Sequence, residues 1–503
     1  MRKIYFTQMN FLNRIIYILI IFFPILTFAD IFYISTYGND NNNGSITSPW
    51  RTVNHAWNNS GGGDTVLIRE GTFTESQIWL ATARRGIGIE NSYWTLKNYP
   101  GEIPTLINTR FIIDDDNIRV QGLHFTGTSF IQAVSWGGLH ENIELIANDF
   151  SGSSTVPVYF MANKGLVDGN NIHPISSIHG IYVMHGDSNI VRNNYILGVN
   201  KYGIHIYDEK KYDHPSKITN LLVENNIVDG SQSRSGIIIS AGESIDYSIE
   251  IKGVILRNNI VKNNAEDGIT IRYYGIVRDI DIFNNTIYKN GVNGLLIAAS
   301  DVNNINIKNN IFLDNEHNIN VTSSLKVLVV SNNLYWNPSS AGYGAKDAYA
   351  VYKDPLFVNA YDGDFHLRDG SPAIDAGVDV GIPYFGPAPD LGAFEAEVSS
   401  LSNEKSTGAL PTHFDLKQNY PNPFNSDTEI YYDLPFTVNA DLSIFNISGC
   451  RIRTLVHKKE IAGQKSVKWN GKDKNGIDVS SGIYFYKLYT DEFLITRKML
   501  LIR

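Results

Sequence analysis

Short runs of Val, Ile and Leu alternate with polar residues along most of the chain, and turn-forming residues interrupt them every few positions. A period of two over four to six residues predicts strands with one buried face. Long apolar stripes at helical spacing are scarce. One exception lies near the start: Ser48-Pro49 fit an N-cap and a first helical residue, and Val53, Ala56 and Trp57 then share one helical face. A short helix there suits the open end of a stack of strands.

The strand pattern repeats. Asn-Asn, preceded by a β-run and followed by an apolar residue, recurs at Asn170, Asn193, Asn225, Asn258, Asn284, Asn309 and Asn332, with Asn148-Asp149 as a variant. The spacings are 22, 23, 32, 33, 26, 25 and 23 residues. Upstream of these pairs stand Gly180-Ile-Tyr-Val, Gly203-Ile-His-Ile, Gly236-Ile-Ile-Ile, Gly268-Ile-Thr-Ile and Gly294-Leu-Leu-Ile. Each repeat therefore reads strand, turn, strand, Asn-Asn turn, strand. Asparagine tolerates the left-handed backbone of such turns, and stacked asparagines can bond from one coil to the next. A coil of this period with parallel strands is a β-helix, rising about 4.8 Å per coil.

Tyr33-Ile34-Ser35, Gly38-Asn39-Asp40, Pro49-Trp50-Arg51-Thr52, Gly63-Asp64-Thr65-Val66 and Glu70-Gly71-Thr72-Phe73 resemble the N-terminal cap of exported right-handed parallel β-helix proteins of the pectate-lyase-like superfamily. Asp354-Pro355-Leu356-Phe357, Ser371 to Gly377 and Asp390 to Glu395 are similar to the segment that closes such helices. Asn419 to Asn425, Asn446-Ile447-Ser448-Gly449, Trp469 to Asp473, Ser481 to Tyr484 and Lys498-Met499-Leu500 resemble the C-terminal sorting domain of the type IX secretion system, a small β-sandwich.

The expected organisation is all-β: a signal peptide (1–29), a right-handed parallel β-helix (30–395), a polar linker (396–411) and an immunoglobulin-like β-sandwich (412–503). Arg2, Lys3 and Arg14, the apolar run 15–28 and Thr27-Phe28-Ala29 fit a cleavable export signal. The expected location is outside the cell or on its outer surface, by way of the type IX machinery. The expected state is a monomer. A net charge of −9 argues against nucleic acid as a partner, and a lone Cys450 rules out an intramolecular disulfide. No cofactor is evident. Calcium is considered at Asp114-Asp115-Asp116-Asn117, but no repeated ligand spacing supports it.

Alternation along the glycine-led strands sends the second and fourth residues after the glycine position outward. One outward column is then Tyr159, Tyr182, His205, Ile238, Thr270 and Leu296, and the other Met161, Met184, Tyr207, Ser240, Arg272 and Ala298. Aromatic faces in a row suit sugar rings. Two coils carry insertions, at 208–220 and 241–253, which hold Asp208, Lys210, Lys211 and Glu243. Basic groups gather nearby despite the acidic total: Lys201, Lys210, Lys211, Arg234 and Arg272.

That set suits an acidic polysaccharide. A lyase must neutralise the sugar carboxylate, remove the adjacent proton and protonate the leaving oxygen. His205 is the candidate base, Tyr207 the acid and Arg272 the carboxylate partner. His179 and His185 are substitutes for the base. Tyr159, Tyr182, His185, Asp208, Lys210, Lys211 and Glu243 are candidate substrate contacts. Hydrolysis needs two carboxylates, and neither column holds one. Alginate epimerases of this fold place Asp-Pro-His-Asp after Tyr-Gly; here Tyr202-Gly203-Ile204 leads into His205-Ile206-Tyr207-Asp208, in a different order. The rival reading is a non-catalytic glycan-binding or cell-envelope surface protein.

Overall fold

The computed structural model describes residues 29–81, 92–133, 139–152, 156–173, 176–208, 217–242, 249–337, 342, 343, 345–396, 414–422, 424, 425, 427–446, 451–480, 482–490 and 494–501. The export signal before Ala29, nearly all of the linker, Cys450, and Lys210, Lys211 and Glu243 lie outside the described residues. Two compact units divide near residue 398.

The first unit is the coil predicted from the repeats. One coil runs through Tyr202–Tyr207, then Lys217–Thr219 and Leu222–Glu224, then Ile227–Asp229. Each strand pairs in parallel with its counterparts in the neighbouring coils. The third strands form their own sheet, from Gly71–Phe73 to Leu334–Trp336. Aliphatic residues of the alternating pattern point inward: Ile181, Ile204, Ile237, Ile269 and Leu295 are fully buried, and so are Val167, Val191, Val223, Leu256 and Ile282 on the second strands.

A ladder of buried asparagines fixes the coils in register. Asn148, Asn170, Asn194, Asn226, Asn259, Asn285, Asn310 and Asn333 each accept, at Oδ1, a bond from the backbone N–H of the preceding rung or of its equivalent. The side-chain amides also donate along the ladder, as from Asn194 to Asn226 at 2.9 Å. In the doublets it is the second asparagine that stacks. The first takes positive φ, as at Asn193, Asn225 and Asn258. At Gly169-Asn170 the glycine takes that role, so the rung is Asn170, and Asn171 instead bonds Asp149. The ladder ends on Asp347, which accepts from Asn333 Nδ2 at 2.8 Å.

Two expectations shift. The cap helix spans Val53–Asn59, and its N-cap is Thr52, whose hydroxyl accepts from His55 N–H. Glu75 supplies further acceptors to the N–H groups of Val53 and Asn54. Ser48-Pro49 precede the helix and belong to the bridge region around Trp50. The segment 354–395 lies along the outer face of the third-strand sheet. There Phe357, Phe365, Ala373 and Leu391 cover Tyr288, Ile311, Leu313 and Leu334.

The second unit packs a three-stranded sheet and a four-stranded sheet, all antiparallel, around Trp469, Tyr486, Tyr432 and Leu488. In its edge strand Arg451–Glu460 charges interrupt the apolar–polar alternation.

Replacing Asn226 by Ala should lower stability by about 2–4 kcal/mol, since the N–H and side-chain amide of Asn194 lose their buried acceptor. The shift of the urea midpoint at unchanged slope measures it.

Candidate functional site

The first outward column forms as the alternation requires. Tyr159 pairs with Tyr182, Tyr182 with His205, His205 with Ile238, Ile238 with Thr270 and Thr270 with Leu296. The rings touch in sequence. Phe130 lies 6.2 Å from Tyr159, Tyr159 lies 5.8 Å from Tyr182, and Tyr182 stacks on His205 at 4.5 Å. This aromatic track runs toward the N-terminal coils. On the other side of His205 the column turns aliphatic at Ile238, and both Ile238 and Thr270 are buried.

The second column forms only in part. Tyr207 pairs with Ser240 and Arg272 with Ala298. A bulge between the strands Val158–Asn163 and His179–Asp187 sets Met161 opposite His185 instead of Met184. Met161 and Met184 still meet, in a small apolar cluster with Ile112 on the outer side of the coil.

His205 and Tyr207 come together at 5.0 Å between ring centres. Two more residues complete the cluster: His179, predicted only as a substitute base, and Tyr202, which was not among the predicted site residues. His179 lies 4.4 Å from His205, and Tyr202 stacks on His179 at 5.4 Å and sits 4.9 Å from His205. Both strands begin one residue early, at His179 and Tyr202, so the residue before each glycine joins the cluster. The sequence signal was present: a ring-bearing residue precedes Gly180 and Gly203 alike.

Burial sets the charge state of the pocket. His179 and His205 each expose 9% of their surface. Desolvation, with nearby Lys201 adding repulsion, pulls His179 down to about 4. Desolvation, His179 and Lys201 together hold His205 well below the ordinary imidazole value. Both rings are neutral at pH 7. The Nδ1 atom of each is buried with no hydrogen-bond partner among the described residues. Burial and a hydrogen bond with Tyr273 push the Tyr202 phenol up.

Arg272 does not touch His205 or Tyr207. It stands two coils beyond Tyr207, about 10 Å along the stack, with its guanidinium 5.1 Å from the ring of Tyr273. Tyr273 in turn bonds Tyr202, which links Arg272 to the cluster through two phenols. The backbone turns the corner here with positive φ at Tyr273 and Gly275. A Cβ at Gly275 would meet Ala241 O at 2.1 Å, so the corner requires glycine.

The structure corrects two predicted contacts. His185 and Asp208 face each other, Nδ1 to Oδ1 at 3.1 Å, with their side chains 1% and 0% exposed. Asp208 follows the outward Tyr207 and His185 follows the outward Met184, so alternation turns both away from the outer columns, and both are buried. Neither is a surface contact for a polymer. The basic group is also thinner than its count, because Arg234 is paired with Glu266 at 2.8 Å. The Asp114–Asn117 turn holds His140, which meets Asp114 and Asp116 at 3.0 and 3.3 Å. No group of metal-ligating side chains occurs among the described residues.

Comparison with known proteins addresses the fold. A family model described as a right-handed beta helix region matches residues 108–250, a domain of unknown function (DUF5123) matches 280–379, and an FlgD Ig-like domain matches 425–492. The protein YwoF of Bacillus subtilis (strain 168) is 24% identical over 445 residues, covering 69% of this chain and 92% of its own length. The crystal structure of pectate lyase Pel9A aligns with a TM-score of 0.51 at 15% identity, over 74% of this chain and 98% of that one. A rhamnogalacturonan lyase aligns at 13% identity with a TM-score of 0.37, over 66% of this chain and 91% of its own. The chain is a right-handed parallel β-helix followed in sequence by an immunoglobulin-like domain.

Proposed function

We propose that this protein is exported and acts on an acidic, uronic-acid-containing polysaccharide, cleaving it by β-elimination at the His–Tyr pocket. The observation that carries the reading is the pocket's composition. Two buried neutral imidazoles stand among phenols on the outer wall of a β-helix, and no carboxylate stands in either outward column. Hydrolysis would need a pair of carboxylates there. Several aligned structures are enzymes of polysaccharides by their printed names, among them Pel9A and the rhamnogalacturonan lyase.

In this mechanism the polymer lies along the coil axis, its rings on Phe130, Tyr159 and Tyr182. His205 takes the proton next to the sugar carboxylate. The electron pair forms the new double bond and expels the glycosidic oxygen, and Tyr207 returns a proton to that oxygen. Arg272 pairs with the carboxylate of a neighbouring sugar unit, two coils away. The low accessibility of His205 and Tyr207 favours a second reading, a glycan-binding surface protein that cuts nothing.

We also propose that residues 412–503 direct passage through the type IX machinery, leaving the protein released or attached at the outer surface. The sandwich and the motifs Trp469 to Asp473 and Lys498 to Leu500 support this reading.

His205→Ala and Tyr207→Phe should each lower kcat/KM by about 10²–10⁴-fold on pectin, alginate or a glycosaminoglycan, with unchanged circular dichroism. The readout is the ultraviolet absorbance of the unsaturated product. Retention of polymer by the wild type without shortening and without that absorbance would establish the binding reading instead. The acid limb of kcat/KM should lie below pH 6.5, because a lowered imidazole value keeps the base form populated further into acid. Removal of residues 412–503 in a host with type IX secretion should hold the protein inside the outer membrane, as cell fractionation will show.

A further inference from the structure

His179 has no part in the mechanism above, yet it shares the pocket with the proposed base. Its ring centre is 4.4 Å from that of His205, both side chains are about nine-tenths buried, and each carries an Nδ1 atom without a partner among the described residues. A buried polar atom left unpaired costs about 1–3 kcal/mol. Whichever tautomer each ring adopts, its Nδ1 finds no protein partner among the described residues.

The surroundings define what ligand would relieve it. Around the two imidazoles stand Tyr182, Tyr202 and Tyr207, with the positive charge of Lys201 close enough to act on both rings. Tyr273 and Arg272 follow behind Tyr202. Arg234 is neutralised by Glu266, and Asp208 is engaged by His185. Among the described residues the cluster therefore lacks a counter-ion for an imidazolium. A ligand bearing a carboxylate supplies one, and attraction in a poorly hydrated site is strong.

We infer that His179 is the carboxylate receptor of the site: docking of a sugar carboxylate draws one proton from solvent onto His179, forming an imidazolium–carboxylate pair, while His205 stays neutral as the base. The inference rests on the reading that the pocket takes an acidic sugar. It divides the two histidines by role. His179 binds and is positioned before any bond breaks, and His205 moves the reacting proton. By linkage, affinity for the acid sugar falls as pH rises above the bound-state value of His179, and no such fall applies to a neutral sugar.

The test uses free galacturonate and glucuronate, which have no glycosidic bond to cleave, with the methyl ester of galacturonate as the neutral control. Calorimetry on the full chain at pH 6, in two buffers of different ionisation enthalpy, counts protons taken up. The expected result is uptake approaching one proton per acid sugar bound and none with the ester. Affinity for the acid sugar should fall about tenfold per pH unit at higher pH. His179→Asn should abolish the uptake and flatten the pH dependence, whereas His205→Asn should preserve both. Binding of the acid sugars without proton uptake, or uptake that survives His179→Asn, overturns the inference and leaves the acidic-glycan reading standing. Equal binding of the ester and the acid overturns both.

Discussion

Parallel strands held in register by a buried asparagine ladder are the constraint from which the molecule follows. Each rung joins residues 22 to 33 positions apart, and the bond geometry is nearly constant from coil to coil. Coil length is therefore free while coil position is not. The two longest coils keep their strands aligned with their neighbours, so His205 meets Tyr182 on one side and Ile238 on the other regardless of the insertions that follow. Residues on the outer wall become neighbours through this register and through nothing in their local sequence.

The electrostatics of the wall follow from the same stacking. Rings set one coil apart shed water from each other's faces, and an imidazole in such a row loses the hydration that its charged form needs. Neutral histidines in an acidic chain are a product of position. The formal charge of the whole, −9, says little about this pocket.

Much of the fold was legible because period two and the glycine-led runs are short-range signals. The inner columns, the first outer column and the asparagine stacking all follow from them. The failures have local physical causes. A single extra residue at the Met161/His185 bulge breaks the second column, and no pattern in the sequence marks it. His185 and Asp208 stand at the ends of ring-bearing runs, which suggests exposure, yet each directly follows an outward residue, and alternation turns it away from the outer columns. His179 and Tyr202 were undervalued because each stands one position before the glycine that marks the repeat. Ser48-Pro49 lost the helix start to Thr52, whose hydroxyl and backbone N–H are held by Asp40. The edge strand Arg451–Glu460 carries charges where an inner strand would carry aliphatics, which suits an edge and defeats alternation.

The segment laid along the third strands has a mechanical side. Solenoids ordinarily fray from a free end, one coil at a time. Here Asn309 is bonded at both its amide and its carbonyl to Val378, Gly392 N–H reaches the carbonyl of Asn309, and Ala393 N–H reaches Thr286 Oγ1. The last coils are thus strapped to earlier ones from outside. Peeling them away demands that the strap be torn off first, which makes the C-terminal end of the coil a clasp instead of a loose thread.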